Sequence, residues 1–279
     1  MESLLIDKII RNALEEDLGW GDVTTESTIP SDVQIRGNFT AKEDGIISGM
    51  EVCRRVFEIL DGRIQFSILK NDGEKIKKGD IAAAISGPAA SILRGERTAL
   101  NLLQRMSGIA TLTGKFVEQV GDLHTRIVDT RKTAPGLRIL DKYSVKMGGG
   151  HNHRYNLSDM VLIKDNHIKA AGGITPAVRA AKEKLSHALK IEVEVESLEQ
   201  LQEAINAGAD IVMLDNMSLD MMKEAVAQAK GRVLLEASGN VELDSTRNAR
   251  SIAETGVDII SIGALTHSVK ALDISLRFL

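Results

Sequence analysis

Apolar residues recur at helical spacing across residues 4–18, through Leu5, Ile6, Ile9, Ile10, Ala13 and Leu14. The spacing predicts an opening helix, closed by Gly19. From Gln34 to Pro88 the rhythm shortens. Alternating stretches at 35–40, 64–69 and 81–85 are separated by Asp-Gly and Lys-Gly-Asp turns, with a helical stretch at 53–60 between them. This reads as an α+β unit. Residues 94–120 return to helical spacing. Beyond them, short apolar runs at 126–129, 160–163, 191–195, 211–214, 233–235 and 259–262 alternate with helix-like stretches. Thr175-Pro176 offers an N-cap followed by proline at the first helical position, and Ser197-Leu198-Glu199-Gln200 fits a capping box. Gly208 and Gly256 fit helix stops. Such alternation predicts a parallel sheet with right-handed crossovers. The expected fold class is α/β, an incomplete six- or seven-stranded parallel barrel behind an N-terminal α+β sandwich. An open doubly wound sheet is the alternative, but no Gly-x-Gly-x-x-Gly follows a strand.

Composition adds bounds. The 279 residues are 43% hydrophobic and 27% charged, the mixture of an ordinary globular protein. Aromatics are only 3%, so the core rests on aliphatic side chains. A net charge of −4 argues against nucleic acid as a partner. The single cysteine, Cys53, leaves no internal disulfide and no cysteine-rich metal site, which suits a reducing compartment. With no apolar run long enough to span a bilayer and no signal-like start, a cytoplasmic location is expected. The turn at 71–80 resembles those of biotinyl and lipoyl carriers, but no Met-Lys-Met or Asp-Lys-Ala is present.

The strand ends carry the candidate chemistry, because parallel barrels build their sites there. The third run, Glu192-Val193-Glu194-Val195-Glu196, puts valines and glutamates on opposite faces. If the valines meet helices, the carboxylates point into the barrel and need cations, either as an internal salt-bridge network or as part of a site. Arg131, Lys132, Arg138, His151, His153, Arg154, Lys164 and His167 supply them between positions 131 and 167, around Gly148-Gly149-Gly150. Arginines suit carboxylates and phosphates, so the expected ligand bears several negative groups. His151-Asn152-His153 is alternatively a zinc pair. Ser238-Gly239-Asn240 and Gly263-Ala264 offer a phosphate cradle at the last two strands. Glu194 and Asp215 are the candidate Mg²⁺ carboxylates.

Several blocks then resemble one family. Glu96-Arg97-Thr98-Ala99-Leu100-Asn101, Asp129-Thr130-Arg131-Lys132-Thr133-Ala134-Pro135-Gly136-Leu137-Arg138, Gly148 through Arg154, Ile163-Lys164-Asp165-Asn166-His167, Leu214-Asp215-Asn216 and Gly263-Ala264-Leu265-Thr266-His267-Ser268 are similar to quinolinate phosphoribosyltransferases, in the family's order. Tyr155-Asn156 and Asn240 depart from the usual pattern. The resemblance implies a sandwich of residues 1–110 joined by the tail 271–279, and a barrel of residues 111–270. It implies a homodimer in which Arg97 reaches the neighbour's site. Arg131, Lys132, His153, Arg154 and Lys164 would bind quinolinate and phosphoribosyl pyrophosphate. Glu194 and Asp215 would serve the ribose and Mg²⁺. Ser238, Gly239, Asn240, Gly263, Ala264 and His267 would complete the substrate site, with Lys132, Glu194 and Asp215 as the catalytic set. Rival readings are a molybdenum-linked branch of the same fold, a sugar-phosphate aldolase or isomerase using Lys164 as a Schiff base, and a non-catalytic metabolite binder.

Overall fold

The computed structural model describes residues 3–279. In chain order the elements are α1 (Ser3–Leu18), α2 (Val23–Thr28), β1 (Gln34–Ala41), β2 (Gly45–Ile46), α3 (Met50–Leu60), β3 (Gln65–Ile68), β4 (Lys75–Ile76), β5 (Ile81–Pro88), α4 (Ala89–Val120), β6 (Arg126–Val128), α5 (Arg138–Met147) and β7 (Val161–Ile163). They continue as α6 (Asp165–Ala171), α7 (Ile174–Lys184), β8 (Ile191–Val195), α8 (Leu198–Ala207), β9 (Ile211–Asp215), α9 (Leu219–Ala229), β10 (Leu234–Ser238), α10 (Ala249–Ala253), β11 (Ile259–Ser261), α11 (Ala264–His267) and β12 (Ile274–Phe278). Two compact units result. The first holds the residues up to Gly114 with Thr133–Gly149 and Leu265–Leu279; the second holds Lys115–Lys132 and Gly150–Ala264. By contact, residues 111–114, 133–149 and 265–270 group with the first unit.

The first unit is built on an antiparallel sheet in the order β12-β1-β5-β3. The tail strand β12 pairs with β1, Phe39 lying opposite Leu276. Helix α1 buries Ile6, Ile10 and Leu14, the face its spacing marks out. Helix α3 buries Met50, Val52, Cys53, Val56 and Phe57. It starts three residues before the apolar spacing suggests. Gly49 takes φ +102° at its N-cap, and one Asp72 oxygen accepts both the Gly49 and Met50 N–H groups at 2.9 Å. A remote carboxylate thus caps the helix, a signal invisible in local sequence. The few aromatics are concentrated: Phe39, Phe57 and Phe66 pack with ring centroids 5.4 to 6.1 Å apart. The turn that resembles carrier domains serves a two-stranded pairing of β2 with β4. Helix α5, not expected from the sequence, buries Asp141, whose carboxylate takes two Arg105 bonds (2.9 and 2.7 Å) and the Ala134 N–H at 3.1 Å.

The second unit is a six-stranded parallel sheet in the order β6-β11-β10-β9-β8-β7, an α/β barrel-like fold. The end strands β6 and β7 have no ladder between them. The outer edge of β6 instead meets His151 through a parallel bridge at Val128. Val193, Val195, Val212, Leu214, Leu235 and Ala237 are buried on one face. On the other face the register sets Glu192 opposite Ile211, Glu194 opposite Met213, Met213 opposite Glu236, and Asp215 opposite Ser238. The expected division of valines from glutamates along β8 is therefore present. Helix α8 starts on Ser197, which accepts the Gln200 N–H, while the Gln200 side chain returns to the Glu196 N–H at 2.8 Å. Helix α7 corrects the Thr175 assignment. Gly173 is its N-cap, and Thr175 lies inside the helix, where its N–H and hydroxyl both donate to Glu203.

Candidate active site

The site is assembled at the C-terminal ends of β6 to β11, all within the second unit. Just past β6, Asp129 is fully buried. Its carboxylate accepts the Asn152 amide at 2.6 Å and the His153 N–H at 2.9 Å. Backbone bonds from Asp129 N–H to the His151 carbonyl and from His151 N–H to the Ile127 carbonyl complete the seam. Residues 151–153 are thereby held as a short extension of the sheet, which carries His153 inward.

His153 sits between two buried glutamates. Its Nε2 lies 3.1 Å from a Glu192 oxygen and 3.3 Å from a Glu236 oxygen. Both Glu192 oxygens and Oε1 of Glu236 lack an aligned hydrogen-bond partner, so the Glu192 contact is electrostatic in character. Burial pushes the Glu192 carboxyl up to about 6, helped by the neighbouring Glu236 charge and opposed by His153. Burial lowers the imidazole's own pKa and the two carboxylates raise it, to about 10 on balance. That balance implies an imidazolium, yet Nδ1 accepts the Arg154 backbone N–H at 2.7 Å. An imidazolium would turn a second N–H against that donor. The hydrogen bond at Nδ1 favours a ring that keeps Nδ1 bare and its proton on Nε2, facing the glutamates. The donor atoms of His153, Glu192 and Glu236 lie within 4.8 Å of one another, a spacing that suits a metal ion. A liganding Nε2, however, needs its proton moved to Nδ1, which is taken.

The expected zinc pair is not formed by this geometry: His151 is exposed at the β6 edge, while His153 turns to the glutamates. Arg154 is half-buried, with its guanidinium on the Met160 carbonyl at 3.3 Å. Burial and the charge of Arg131 push its pKa down, partly offset by Glu192 and Asp159. Two guanidinium groups are thus held close enough to disfavour one another. Lys132 is exposed, its N–H on the Thr130 hydroxyl at 3.1 Å. Lys164, at the end of β7, is ion-paired with Glu194. That arrangement suits a cation rather than the free amine of a Schiff base. His167 caps the helix after it, accepting the Lys164 N–H at 3.0 Å. It therefore has a local structural task.

Asp215 and Ser238 end β9 and β10 side by side. Asn216 (φ +53°), Gly239 (φ +93°) and Asn240 (φ +49°) turn the chain sharply there. The Asn216 side chain donates to Asp215 at 3.0 Å and accepts from Asn240 at 3.1 Å. Arg247, absent from the sequence reading, gathers these ends by donating to the carbonyls of Met217, Ser238 and Gly239. No local motif marks it, since its partners are backbone atoms. Glu236 was missed for a similar reason: a single glutamate in an apolar run does not reveal that it faces Glu192's histidine. Gly263 and Ala264 follow β11 in the same unit. Arg97 on α4, Arg138 at the start of α5 and His267 in α11 belong to the first unit. Arg97 and His267 are exposed, and Arg138 donates to Thr133 at 3.0 Å.

A barrel-like sheet whose strand ends hold crowded arginines beside paired carboxylates defines an enzyme site for a polyanionic substrate. Residues 22–107 match the N-terminal domain, and residues 109–277 the C-terminal domain, of the quinolinate phosphoribosyl transferase family. The chain belongs to that family. It is 44% identical over 276 residues to the probable nicotinate-nucleotide pyrophosphorylase [carboxylating] of Bacillus subtilis (strain 168), covering 99% of this chain and 94% of that protein. The solved NadC from Streptococcus pyogenes is 40% identical, with a TM-score of 0.95 over 100% of this chain and 99% of the other. The nicotinate-nucleotide pyrophosphorylase of Francisella tularensis is 41% identical, with a TM-score of 0.94 over 100% and 98%.

Proposed function

We propose that the protein converts quinolinate and phosphoribosyl pyrophosphate to nicotinate mononucleotide, pyrophosphate and CO₂, a step of NAD biosynthesis. The observation that carries the reading is the Arg131–Arg154 pair. The positive charges of exposed Arg131 and half-buried Arg154 disfavour one another, a bound dianion relieves that repulsion, and quinolinate is a dianion. Membership of the family and 44% identity to a relative named for this reaction support it.

In the reaction, the pyridine nitrogen attacks ribose C1 while the C1–O bond to pyrophosphate breaks. The quaternised ring then accepts the electron pair of the bond to the 2-carboxylate, CO₂ departs, and C2 takes a proton. Arg131 and Arg154 grip carboxylates, with Lys132 beside Arg131 on the same loop. Lys164 and Glu194, paired with one another, can exchange partners for substrate groups. Glu194 and Asp215 stabilise positive charge developing on the ribose. The loop at Ser238, Gly239 and Asn240, with Gly263 and Ala264, offers backbone N–H groups to the 5-phosphate. Glu194 and Asp215 occupy successive positions on one sheet face, and two half-buried carboxylates fit Mg²⁺, which needs few protein ligands beside water and phosphate oxygens. When bound, the ion would neutralise pyrophosphate charge. A homodimer, with Arg97 supplied to the partner's site, and a cytoplasmic location complete the proposal. Among the described residues no helix is long and apolar enough to cross a membrane.

The test is turnover with quinolinate, phosphoribosyl pyrophosphate and Mg²⁺, repeated with nicotinate in place of quinolinate. Nicotinate mononucleotide and CO₂ from quinolinate alone are expected. Absence of product from quinolinate, with folded protein, overturns the proposal.

A further inference from the structure

The loop after β10 turns on a glycine, and one half-buried arginine holds it. The Nε of Arg247 donates to the Gly239 carbonyl at 3.1 Å, one terminal nitrogen to the Ser238 carbonyl at 3.3 Å, and the other to the Met217 carbonyl. Ser238 and Gly239 lie at the end of β10 and Met217 just past β9, so a single guanidinium ties the two strand ends together. The segment carrying Arg247 is itself braced. The Gln119 side chain donates to the Leu243 carbonyl at 2.8 Å and accepts the Ala249 N–H at 3.3 Å, while Asn248 accepts the Ser251 N–H at 2.9 Å.

Glycine at 239, with φ +93°, leaves the peptide planes on either side of it free to turn. Arg247 fixes both planes, one through each carbonyl. In a planar trans peptide the carbonyl and the following N–H point in opposite directions. With the Ser238 and Gly239 carbonyls drawn to one guanidinium, the N–H groups of Gly239 and Asn240 are both turned away from it. Among the described residues, neither of those N–H groups donates to a protein acceptor. Two adjacent amides left open on a strand-end loop suit an anion. The fork matters more than the charge: a lysine brings the same charge but no planar array of donors to hold three carbonyls at once.

We propose that Arg247 is a positioning residue for the 5-phosphate of phosphoribosyl pyrophosphate: by locking the Ser238 and Gly239 carbonyls it presets the Gly239 and Asn240 N–H groups for phosphate oxygens, without itself touching the substrate. The inference deepens the proposed reaction and rests on that reading. Its physical basis is preorganisation, since a glycine loop already held in its bound shape has little freedom left to lose on binding.

Two variants of the full chain test it. Arg247→Met keeps the apolar stem and removes the donors; Arg247→Lys keeps the charge and removes the fork. Calorimetry should show affinity for phosphoribosyl pyrophosphate falling about tenfold in Arg247→Met, with quinolinate affinity within about twofold of the unmutated protein. Arg247→Lys should lose nearly as much, because charge without the fork does not fix two peptide planes. A second readout is ¹⁵N relaxation of glycine-labelled protein without ligand. The Gly239 order parameter should drop from about 0.85 in the unmutated protein to below about 0.6 in both variants. Full affinity for phosphoribosyl pyrophosphate in either variant overturns the proposal. So does a loss of affinity with Gly239 still rigid, which requires Arg247 to contact the phosphate directly. Equal losses for both substrates overturn it as well, since they mark a general disturbance of the fold. Failure of the unmutated protein to bind phosphoribosyl pyrophosphate or to form product strikes the proposed reaction instead, so the two failures are distinct.

Discussion

Glu192 shows how one buried side chain links stability to the site. Its carboxyl is raised from the ordinary 4.5 to about 6, first by burial and then by Glu236. A folded-state pKa above the unfolded one gives stability that is full below about 4.5 and lost as pH rises through about 6. The whole step is on the order of 1–2 kcal/mol. Glu192→Gln keeps a polar group beside His153 but cannot ionise. Denaturant melts of the variant should lack the decline that the unmutated protein shows between pH 4.5 and 6. Equal slopes in both proteins would place the titrating group elsewhere. Arg131 makes the complementary case, because it lies exposed on a loop and supports little of the core. Arg131→Ala should leave the melting temperature within a few degrees. Meanwhile kcat/KM for quinolinate should fall by about two orders of magnitude, ~3 kcal/mol of transition-state binding. Near-normal turnover would remove Arg131 from the site.

Among the elements, the sharp ends of β9 and β10 have the least room for change. A Cβ added at Gly239 would lie 2.1 Å from the Asn216 Oδ1, on a backbone already at φ +93°. Gly239→Ala should therefore cost about 1–3 kcal/mol of stability and displace Asn216 from Asp215. Steady-state kinetics should show KM for phosphoribosyl pyrophosphate rising about tenfold with the quinolinate KM much less affected. The opposite pattern would move the phosphate cradle away from this loop. The strands of the barrel were legible because their apolar runs are short, regular and separated by capped helices; Ser197 and Gly208 both act where local sequence puts them. Local pattern failed where partners are distant. Helix α3 is extended by Asp72, Thr175 is drawn into α7 by Glu203, and α5 hides in a basic stretch that reads as loop. The same limit governs the site. The acidic face of β8 could be read from its alternation, whereas Glu236 and Arg247 acquire meaning only through register and through carbonyls gathered in space.

At the scale of the whole molecule, the question is whether one chain suffices. The first unit leaves Leu4, Trp20 and Val23 exposed along α1, α2 and the turn between them, apolar surface of the kind that subunits cover. It also presents Arg97 to solvent on α4. If each subunit lends Arg97 to its partner's site, two inactive proteins can repair one another. A hybrid of an Arg97→Ala chain and an Arg131→Ala chain has one site lacking both arginines and one site with both intact. Random exchange makes half the dimers hybrid, and half of each hybrid's sites are whole. Mixing the two variants at equal concentration after mild dissociation should therefore restore about a quarter of the unmutated activity. The recovered kcat per intact site should equal that of the parent protein, since no residue of that site is altered. An Arg97 that serves its own chain's site gives hybrids with one defect in every site, and mixing then restores nothing.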